Sequence, residues 1–219
     1  MALFHAVKPD RLINGAIAAL LLAGGLLCAT ALTEEIAIAR LRARADNGES
    51  QEARIRPLPA TMTAASSPRA ALYRALITVR EAAGTPAAIA DRGRRSALLQ
   101  QAEAELDIAR QARPVWGQAH VVGAFAAAIT PGGARRALDE LALSYRQMPY
   151  DIDAAPWRVR VGATNWLLLS ERTQAQVVDE AIWYASLSSQ SAATIRASIG
   201  DGDANYYFLL RRGRFRPVG

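Results

Sequence analysis

An uncharged apolar run lies near the N-terminus of this chain and limits the folds that are open to it. Residues 12–32, LINGAIAALLLAGGLLCATAL, contain no charged side chain. A helix rises about 1.5 Å per residue, so about 20 residues are enough to cross the hydrocarbon core of a bilayer. The run therefore predicts a transmembrane helix over residues 12–32, preceded by a short cytoplasmic N-terminus over residues 1–11.

Two kinds of processing compete with a retained anchor. A cleaved signal peptide would use Lys8 and Arg11 as its basic region and the small residues 29–31 as its cleavage site. Its apolar region usually spans about 7 to 15 residues, however, which is shorter than the run in this chain. A lipoprotein would be modified at Cys28, but Leu26 and Leu27 do not form the small-residue motif that this modification needs. We favour a retained anchor, with cleavage as the alternative.

Composition indicates a bacterial protein and excludes some partners. Lys8 is the only lysine among 26 basic residues and alanine is abundant, which suggests a GC-rich bacterial genome. The single cysteine excludes an intramolecular disulfide. The formal net charge is +6, but a short C-terminal segment supplies four positive charges, so no nucleic-acid partner is expected. These four are Arg211, Arg212, Arg214 and Arg216.

The sequence constrains the orientation of the anchor in the membrane less than it constrains the position of the anchor in the chain. A simple count of flanking basic residues slightly favours a cytoplasmic C-terminal part, because Arg40, Arg42 and Arg44 follow the run. Large C-terminal domains nevertheless cross largely regardless of charge, and a short basic N-terminus usually stays inside. We therefore expect a single-pass protein of the bacterial inner membrane, with its C-terminal domain in the periplasm.

The rest of the chain has the pattern of an all-helical domain. Residues 33–66 predict a membrane-proximal helix that continues the anchor to about Ala45, a break at Asn47-Gly48, and a Pro/Ser/Thr/Ala-rich linker that separates the anchor from the domain. Residues 67–212 form the domain, and residues 213–219 are a basic tail. Apolar spacing predicts helices over about 68–83, 96–112, 115–129, 134–147, 155–169, 173–188, 191–199 and 204–212.

A repeat is visible within this domain. Four residues with spacing 4, 3 and 5 recur 35 positions later, close to the 34-residue period of tetratricopeptide units. They are Ala102, Leu106, Ala109 and Pro114, followed by Ala137, Leu141, Ser144 and Pro149. A turn at 130–133, Thr-Pro-Gly-Gly, separates the second set from an apolar helix before it.

These residues resemble the second helix of a tetratricopeptide repeat. The resemblance covers about residues 96–190 and is strongest over 102–149. The aromatic residue and the glycine that the family usually places at Val121 and Phe125 are absent. The family implies stacked helical hairpins with a concave binding surface. The predicted fold class is therefore all-α, a transmembrane helix followed by a TPR-like array of antiparallel helical hairpins.

A looser resemblance comes from the order of the parts. A single N-terminal span, a short degenerate array and the segments 148–151, 157–160 and 166–169 are similar to small accessory proteins of bacterial cell-surface polysaccharide assembly. This resemblance suggests a cellular process and carries over no catalytic residue.

The residue types needed for catalysis are sparse. His5 and His120 are the only histidines, and no second histidine or cysteine lies near His120 to make a metal or thiol site. The segment 201–203 is interpreted as a capped turn and not as a calcium loop. The acidic pairs Asp139-Glu140 and Asp179-Glu180 are interpreted as solvated. We therefore predict a protein that is not an enzyme, with no catalytic, cofactor or metal site.

Two sets of residues are predicted to make contacts with partners. Aromatic residues cluster in the last third of the chain, either as a closing core or as a groove for a partner's peptide or a glycan. The partner-binding residues are predicted to be Trp157, Arg158, Arg160 and Trp166. Small residues allow close helix packing in a membrane, and Gly15, Gly24 and Gly25 are predicted to serve this role.

These observations favour a membrane-anchored helical adaptor or scaffold in a bacterial envelope assembly, with polysaccharide polymerisation or export as the process that the resemblance suggests. The expected partners are the lipid bilayer, a membrane protein or envelope-complex subunit, and a glycan. The alternative is a structural accessory subunit that packs into a membrane complex through its transmembrane helix.

Overall fold

A computed structural model of the chain describes residues 9–46 and 67–214. Within these ranges the chain is all-helical, with ten α-helices, one 3-10 turn and no strand. The helices are α1 (Pro9–Asp46), α2 (Pro68–Gly84), α3 (Pro86–Ala90), α4 (Arg92–Ala112), α5 (Gly117–Ala128), α6 (Ala134–Gln147), α7 (Ala155–Thr164), α8 (Glu171–Leu187), α9 (Ser189–Ile199) and α10 (Asp203–Arg214). The predicted all-α class is confirmed for this part of the chain.

Helix α1 joins the apolar run and the membrane-proximal helix without a break. Its side chains between Leu20 and Leu32 are exposed, and the leucines among them keep about 60 to 75% of their surface uncovered. Among the described residues, α1 is the one helix that is long and apolar enough to cross a membrane. The predicted continuation to about Ala45 is confirmed by the helix end at Asp46.

The last part of α1 belongs to the helical domain. Ala37, Ile38 and Leu41 are buried in a small core with Ala70 of α2. The Glu34 carboxylate also accepts a hydrogen bond from the backbone nitrogen of Ser67 at 2.7 Å. The last turns of α1 therefore pack on the domain, and the division between anchor and domain stays a prediction. The predicted break at Asn47-Gly48 and the linker up to residue 66 lie outside the described residues.

Capping residues explain the bounds of α2, α3 and α4. The Ser67 hydroxyl caps α2 by accepting from the Ala70 nitrogen at 3.2 Å. Thr85 ends α2 and caps the short α3, which the sequence pattern did not predict. The Asp91 carboxylate accepts from the nitrogens of Gly93 and Arg94 at 2.8 and 3.1 Å. Since this cap satisfies free amides at the helix start, α4 begins four residues earlier than predicted.

Helices α5 and α6 form the predicted hairpin. The turn between them places Gly132 at φ +75°, a conformation that favours glycine. A Cβ on Gly133 would lie 2.2 Å from the carbonyl oxygen of Ala127, so this position also needs a glycine. The two glycines of the turn therefore let the chain reverse within five residues.

The second half of the domain differs from the prediction at one helix. Helix α7 ends at Thr164, and residues 166–168 form a 3-10 turn where a continuous helix to residue 169 was expected. The Asn165 side chain donates to the Val161 carbonyl at 2.9 Å, which satisfies a carbonyl of the last turn. Gly162 lets α7 approach α8 closely, because a Cβ there would lie 2.5 Å from Val177 Cγ2.

The helices stack in chain order around two main cores. Helix α2 packs along α4 and also contacts α5, while α6, α7, α8, α9 and α10 surround a second core. The first core contains Leu72, Val79, Leu106 and Val122, and the second contains Leu141, Tyr145, Val159, Val177, Ile195 and Phe208. Helices one to three positions apart in the chain pack against each other, as α7 does on α8 and α9. The assignment of this arrangement to the tetratricopeptide class stays a prediction.

Candidate functional site

A groove lies between α1, α2, α5 and the start of α7. Its volume is about 440 Å³, within the range of sites that hold small ligands or part of a peptide. The lining residues are Arg42, Leu72, Tyr73, Leu76, Arg80, Gln118, Val121, Val122, Phe125, Asp151, Asp153, Ala154 and Trp157. We call this set the α1–α7 groove.

Helical periodicity explains why these residues share one surface. Leu72, Leu76 and Arg80 are spaced four apart on α2, so they lie along one side of that helix. Val121 and Phe125 have the same spacing on α5. Each helix therefore contributes one row of side chains to the α1–α7 groove, and the rows lie side by side.

One end of the groove has an aromatic wall. Phe125 and Trp157 are both half-buried, with ring centroids 5.8 Å apart and ring planes inclined by 57°. Such tilted pairs leave part of each ring free to contact a ligand. Trp157 is thus the predicted site residue that lines this groove.

Charges of both signs border the groove. Arg42 Nη2 lies 3.8 Å from Asp153 Oδ2, and both side chains are more than half exposed. Exposed pairs of this kind stabilise a fold by only about 0 to 1 kcal/mol, so a ligand can displace them at small cost. Asp151 is buried, and its Oδ1 accepts from the backbone nitrogens of Asp153 and Ala154 at 3.0 and 3.4 Å. The rim therefore suits a ligand that carries both a cation and an anion.

The segment that carries Asp151 is held by a buried ion pair behind the groove. Arg158 and Glu180 are both fully buried and paired. Arg158 Nε donates to Glu180 Oε2 at 3.0 Å, and its Nη1 donates to the Met148 carbonyl at 2.8 Å. Glu180 Oε1 in turn accepts from the Asp151 nitrogen at 3.2 Å. The pair thereby ties the loop after α6 to both α7 and α8.

Burial shifts the pKa values of the acidic side chains in this cluster. It raises the pKa of the Glu180 carboxyl above its ordinary value, although the Arg158 guanidinium beside it acts in the opposite direction. Burial and the negative charge of Glu180 raise the pKa of Tyr145 well above its usual range. The Arg158 guanidinium carbon lies 4.3 Å from the centroid of the Tyr145 ring, in cation–π geometry. The three side chains therefore form one packed polar unit inside the second core.

A second ion cluster joins α4, α5 and α6. Arg110 Nη2 donates to Glu140 Oε1 at 2.9 Å, and His120 Nδ1 lies 2.7 Å from Glu140 Oε2. Burial by itself would raise the pKa of Glu140. The hydrogen bond from His120 and the charges of Arg110, His120 and Arg136 outweigh burial and lower that pKa. Gly123 leaves the space for this contact, because a Cβ there would lie 2.2 Å from Arg110 Nη2.

These clusters correct the interpretation of two carboxylates. Glu140 and Glu180 were expected in solvent but are buried and paired, whereas their neighbours Asp139 and Asp179 stay at least partly exposed. Adjacent positions on a helix point about 100° apart, so one residue of each pair can face the core. The arginine partners lie 22 to 30 residues away in the chain, so no local pattern indicates them.

The four residues predicted to bind a partner do not form one face. Trp157 lines the α1–α7 groove, and Arg160 is exposed. Arg158 has no exposed surface and makes its contacts inside the fold, so it is not part of a binding surface. Trp166 is buried and lines a different cleft. Tyr73 and Phe125 line the groove but were not identified from the sequence, since each looks like an ordinary core position of its helix.

The second cleft lies between the 3-10 turn, α8 and α10. Its volume is about 680 Å³. Its lining residues are Trp166, Glu171, Gln174, Ala175, Val178, Tyr207, Leu210 and Arg211. The Trp166 and Tyr207 rings are stacked with centroids 5.5 Å apart, and Gln174 donates to the Trp166 carbonyl at 2.8 Å. Trp166 is therefore held in place by its neighbours.

The glycines of α1 are placed differently from those of the domain. Gly15 lies within α1. A Cβ on Gly24 or Gly25 would meet no atom within 4 Å, so both face open space. Nothing in the described chain packs against this part of α1, which leaves the predicted role of the three glycines in membrane packing as a prediction.

The described residues contain no group of three or more His, Cys, Asp or Glu side chains that could hold a metal ion. No protein-family model matches the chain. The searches of curated proteins and of solved structures also found no significant match. The function is therefore inferred from the chain's own geometry.

Proposed function

We propose that this chain is a single-pass membrane-anchored adaptor in a bacterial envelope assembly, and that the α1–α7 groove binds a segment of its partner. The observation that carries this proposal is the continuity of α1. The same helix provides an apolar segment long enough to span a membrane, exposed over residues 20–32, and, through Arg42, one wall of the groove.

The exposed part of α1 supports the membrane anchor. Leu22, Leu26 and Leu27 expose 69 to 75% of their surface. Covering apolar surface stabilises by about 25 cal/mol per Å², so a bilayer around this segment removes a large cost of hydration. The packing of α1 on α2 then holds the helical domain close to the membrane surface. Arg42 follows Leu32 by ten residues, or about 15 Å of helix.

The chemistry of the groove supports a peptide partner. Its lining is apolar and aromatic through Leu76, Val121 and Trp157, and it also carries the charged residues Arg80 and Asp153. This combination suits a short segment with apolar anchors and charges of both signs. The proposed partner is a membrane protein or envelope-complex subunit in the same bilayer, since the anchor keeps the groove near that surface. The link to polysaccharide polymerisation or export rests on the order of parts in the sequence.

Site-specific photo-crosslinking in bacterial membranes tests the groove. We expect a photoreactive residue in place of Val121 to give a discrete crosslinked product that Trp157→Ala removes. The matched control carries the same residue in place of Ile108, which is 48% exposed on α4 and does not line the groove. A product that persists in Trp157→Ala, or that appears equally from position 108, contradicts the assignment.

The proposed orientation is tested with a reporter fused after Gly219. The expected N-terminus in the cytoplasm places the helical domain in the periplasm, so a reporter active only outside the cytoplasm should be active. Activity of a cytoplasm-only reporter at the same position would instead make this a cytoplasmic scaffold.

A second function is favoured by the glycines of α1. Because Gly24 and Gly25 leave an open surface on an exposed helix, another transmembrane helix can approach that face closely. The chain would then be a structural accessory subunit of a membrane complex. Replacing residues 12–32 with an unrelated apolar helix separates the two functions, since an adaptor keeps working on any anchor and a subunit of this kind does not.

A further inference from the structure

The loop between α4 and α5 carries an exposed apolar residue beside an arginine and a tryptophan. It consists of residues 113–116, Arg-Pro-Val-Trp, and we call it the α4–α5 loop. Val115 is 79% exposed, whereas Trp116 is partly buried and packs on the first core. Arg113 is exposed, and its guanidinium carbon lies 5.2 Å from the centroid of the Trp116 ring. Tryptophan is enriched at membrane–water interfaces, and arginine keeps its charge in water while its stem covers apolar surface.

Contacts with the end of α6 hold the α4–α5 loop in place. Gln147 Nε2 donates to the Pro114 carbonyl at 3.4 Å. A Cβ on Gly117, the first residue of α5, would lie 2.4 Å from Met148 Cβ, so the end of α6 packs closely beside the loop. The loop therefore presents Val115 outward, and nothing in the described part of the chain covers this side chain.

Helix α2 runs in the same direction as α1, away from the apolar run. The cap of α2, Ser67, is bonded to Glu34 of α1 through its backbone nitrogen at 2.7 Å. Farther along both helices, Leu76 of α2 and Arg42 of α1 line the same groove. The start of α2 therefore lies at the height of Glu34, just beyond the apolar run.

Helix α4 returns to that height. Arg74 Nε on α2 donates to Glu105 Oε1 on α4 at 2.8 Å. Farther along α2, Glu81 pairs with Arg94 at 3.2 Å, so the two helices are antiparallel. Arg74 lies seven residues after Ser67, and α4 ends seven residues after Glu105, so each stretch is about 10 Å of helix. The α4–α5 loop therefore lies level with the start of α2, and hence with the first residues after the apolar run.

This height falls in the headgroup layer when α1 crosses a bilayer close to the membrane normal. The hydrocarbon core is about 30 Å thick in a bilayer of about 40 to 45 Å, which leaves about 5 to 7 Å of headgroups on each side. Glu34 follows Leu32 by two residues, or about 3 Å of helix, so it lies within that layer. The α4–α5 loop then lies in the same layer.

The charges near the loop suit an anionic surface. Arg113 is exposed, and the sequence has no acidic residue between Asp107 and Asp139. Glu35, at the same height on α1, is paired with Arg69. Basic residues near a membrane surface are attracted to anionic lipids. The loop therefore combines a positive charge with an exposed apolar side chain at the depth where both can be satisfied.

We propose that the α4–α5 loop rests in the headgroup layer of the bilayer that α1 spans, with Arg113 beside anionic headgroups and Val115 toward the hydrocarbon. This inference rests on the membrane anchor of the proposed function and adds a second contact between the domain and the bilayer. Two contacts restrain the tilt of the domain. Arg42 lies eight residues beyond Glu34, or about 12 Å, so the α1–α7 groove stays outside the headgroup layer.

Fluorescence quenching by nitroxide-labelled lipids measures the depth of the loop. Full-length protein carrying Cys28→Ala is reconstituted in lipid vesicles with a fluorophore on Val115→Cys or on Ile89→Cys. Ile89 is the matched control, because it is 58% exposed on α3, which follows the far end of α2 about 25 Å from Ser67. We expect a nitroxide on the lipid headgroup to quench the label at 115 and to leave the label at 89 unquenched. Equal signals at the two positions would overturn the proposal.

A third label separates the loop contact from the anchor. Leu22→Cys, labelled in the same way, lies in the middle of the apolar run and should be quenched by a nitroxide on the lipid acyl chain. Quenching at 22 without quenching at 115 would overturn the loop contact alone. An unquenched label at 22 would overturn the membrane anchor and this inference with it.

Charge variants test the contact with headgroups. Adding anionic lipid to zwitterionic vesicles should increase quenching at 115, and Arg113→Glu should abolish that increase. Arg92→Glu is the matched control, since Arg92 is exposed at the opposite end of α4. Circular dichroism checks that all variants stay helical. Quenching at 115 that does not respond to anionic lipid, or that falls equally in Arg113→Glu and Arg92→Glu, would overturn the proposal.

Discussion

Two buried carboxylates connect helices that are distant in the chain. Glu180 on α8 pairs with Arg158 on α7, and Glu140 on α6 pairs with Arg110 on α4. Taking charges out of water is costly unless each has a partner and its remaining hydrogen-bonding atoms are satisfied. Arg158 meets that condition through two backbone carbonyls in addition to Glu180. Such residues mainly specify which helices pack together.

Arg158 should be far more important for stability than its neighbour Arg160. We expect Arg158→Ala to lower the free energy of unfolding by about 3 to 5 kcal/mol, because it leaves the Glu180 charge buried without a partner. Arg160→Ala is the matched control and should change it by less than about 0.5 kcal/mol, since Arg160 is exposed. The measurement is denaturant unfolding of the full chain in detergent, followed by circular dichroism. Equal effects of the two variants would contradict this description of the cluster.

Glu140 should make stability depend on pH in the acidic range. Its pKa is lowered in the folded protein, so the unfolded chain binds a proton more readily at that position. Its contribution is therefore fully present at neutral pH and is lost as the pH falls below 4.5, through the folded pKa. The stability difference between wild type and Glu140→Gln should shrink over that interval. A difference that stays constant from pH 7 to pH 3 would show that the carboxylate is not held as described.

Glycines set the distance between several pairs of helices. Gly162 brings α7 against Val177 of α8, and Gly123 brings α5 against the Arg110–Glu140 pair. The Cβ of any other residue at these positions would overlap a neighbouring side chain. The close packing of α7 also positions Trp157 at the end of the α1–α7 groove.

Gly162→Ala should push α7 away from α8. A Cβ placed 2.5 Å from Val177 Cγ2 requires a shift, and overpacking of this kind costs about 1 to 3 kcal/mol. Gly202→Ala is the control, since its Cβ would face open space. Thermal unfolding of Gly162→Ala and Gly202→Ala measures the two stability changes. Adding Val177→Ala to Gly162→Ala should recover part of the lost stability. If the stability losses of Val177→Ala and Gly162→Ala are additive in the double variant, overlap with Val177 is not the cause of the loss in Gly162→Ala.

Helix α1 contains the apolar segment and also contributes to the domain. Leu41 is fully buried in the core shared with Ala70, and Glu35 pairs with Arg69. The helical domain therefore depends on a helix that begins in the apolar run. Under the proposed function, this coupling lets the anchor orient the α1–α7 groove.

Leu41→Ala should destabilise the domain even though residue 41 lies outside the predicted span. Truncating a buried leucine costs about 2 to 5 kcal/mol, depending on how far the surrounding residues collapse. Ile36→Ala on the same helix is the control, because Ile36 is 43% exposed. Hydrogen exchange of the α2 amides in micelles reports the effect. Unchanged protection in Leu41→Ala would show that α1 and α2 are independent.

Local sequence patterns were sufficient to predict several elements. The apolar run, the helix ends at Ser67-Pro68 and at Gln147, and the hairpin turn at 130–133 all follow from side chains within a few residues of each other. The early start of α4 at Arg92 was missed, although a local cap, Asp91, produces it. The end of α7 at Thr164 was missed because nearby apolar residues continue the helical spacing.

Which polar residues are buried and which surfaces are open depends on long-range packing. Arg158 and Arg160 are two positions apart and carry the same side chain, yet one is fully buried and the other is exposed. The difference arises from Glu180, which lies 22 residues later and reaches Arg158 only when α7 packs on α8. The α1–α7 groove likewise needs four helices to meet. Burial is a property of such long-range contacts, so it cannot be read from the residue types alone.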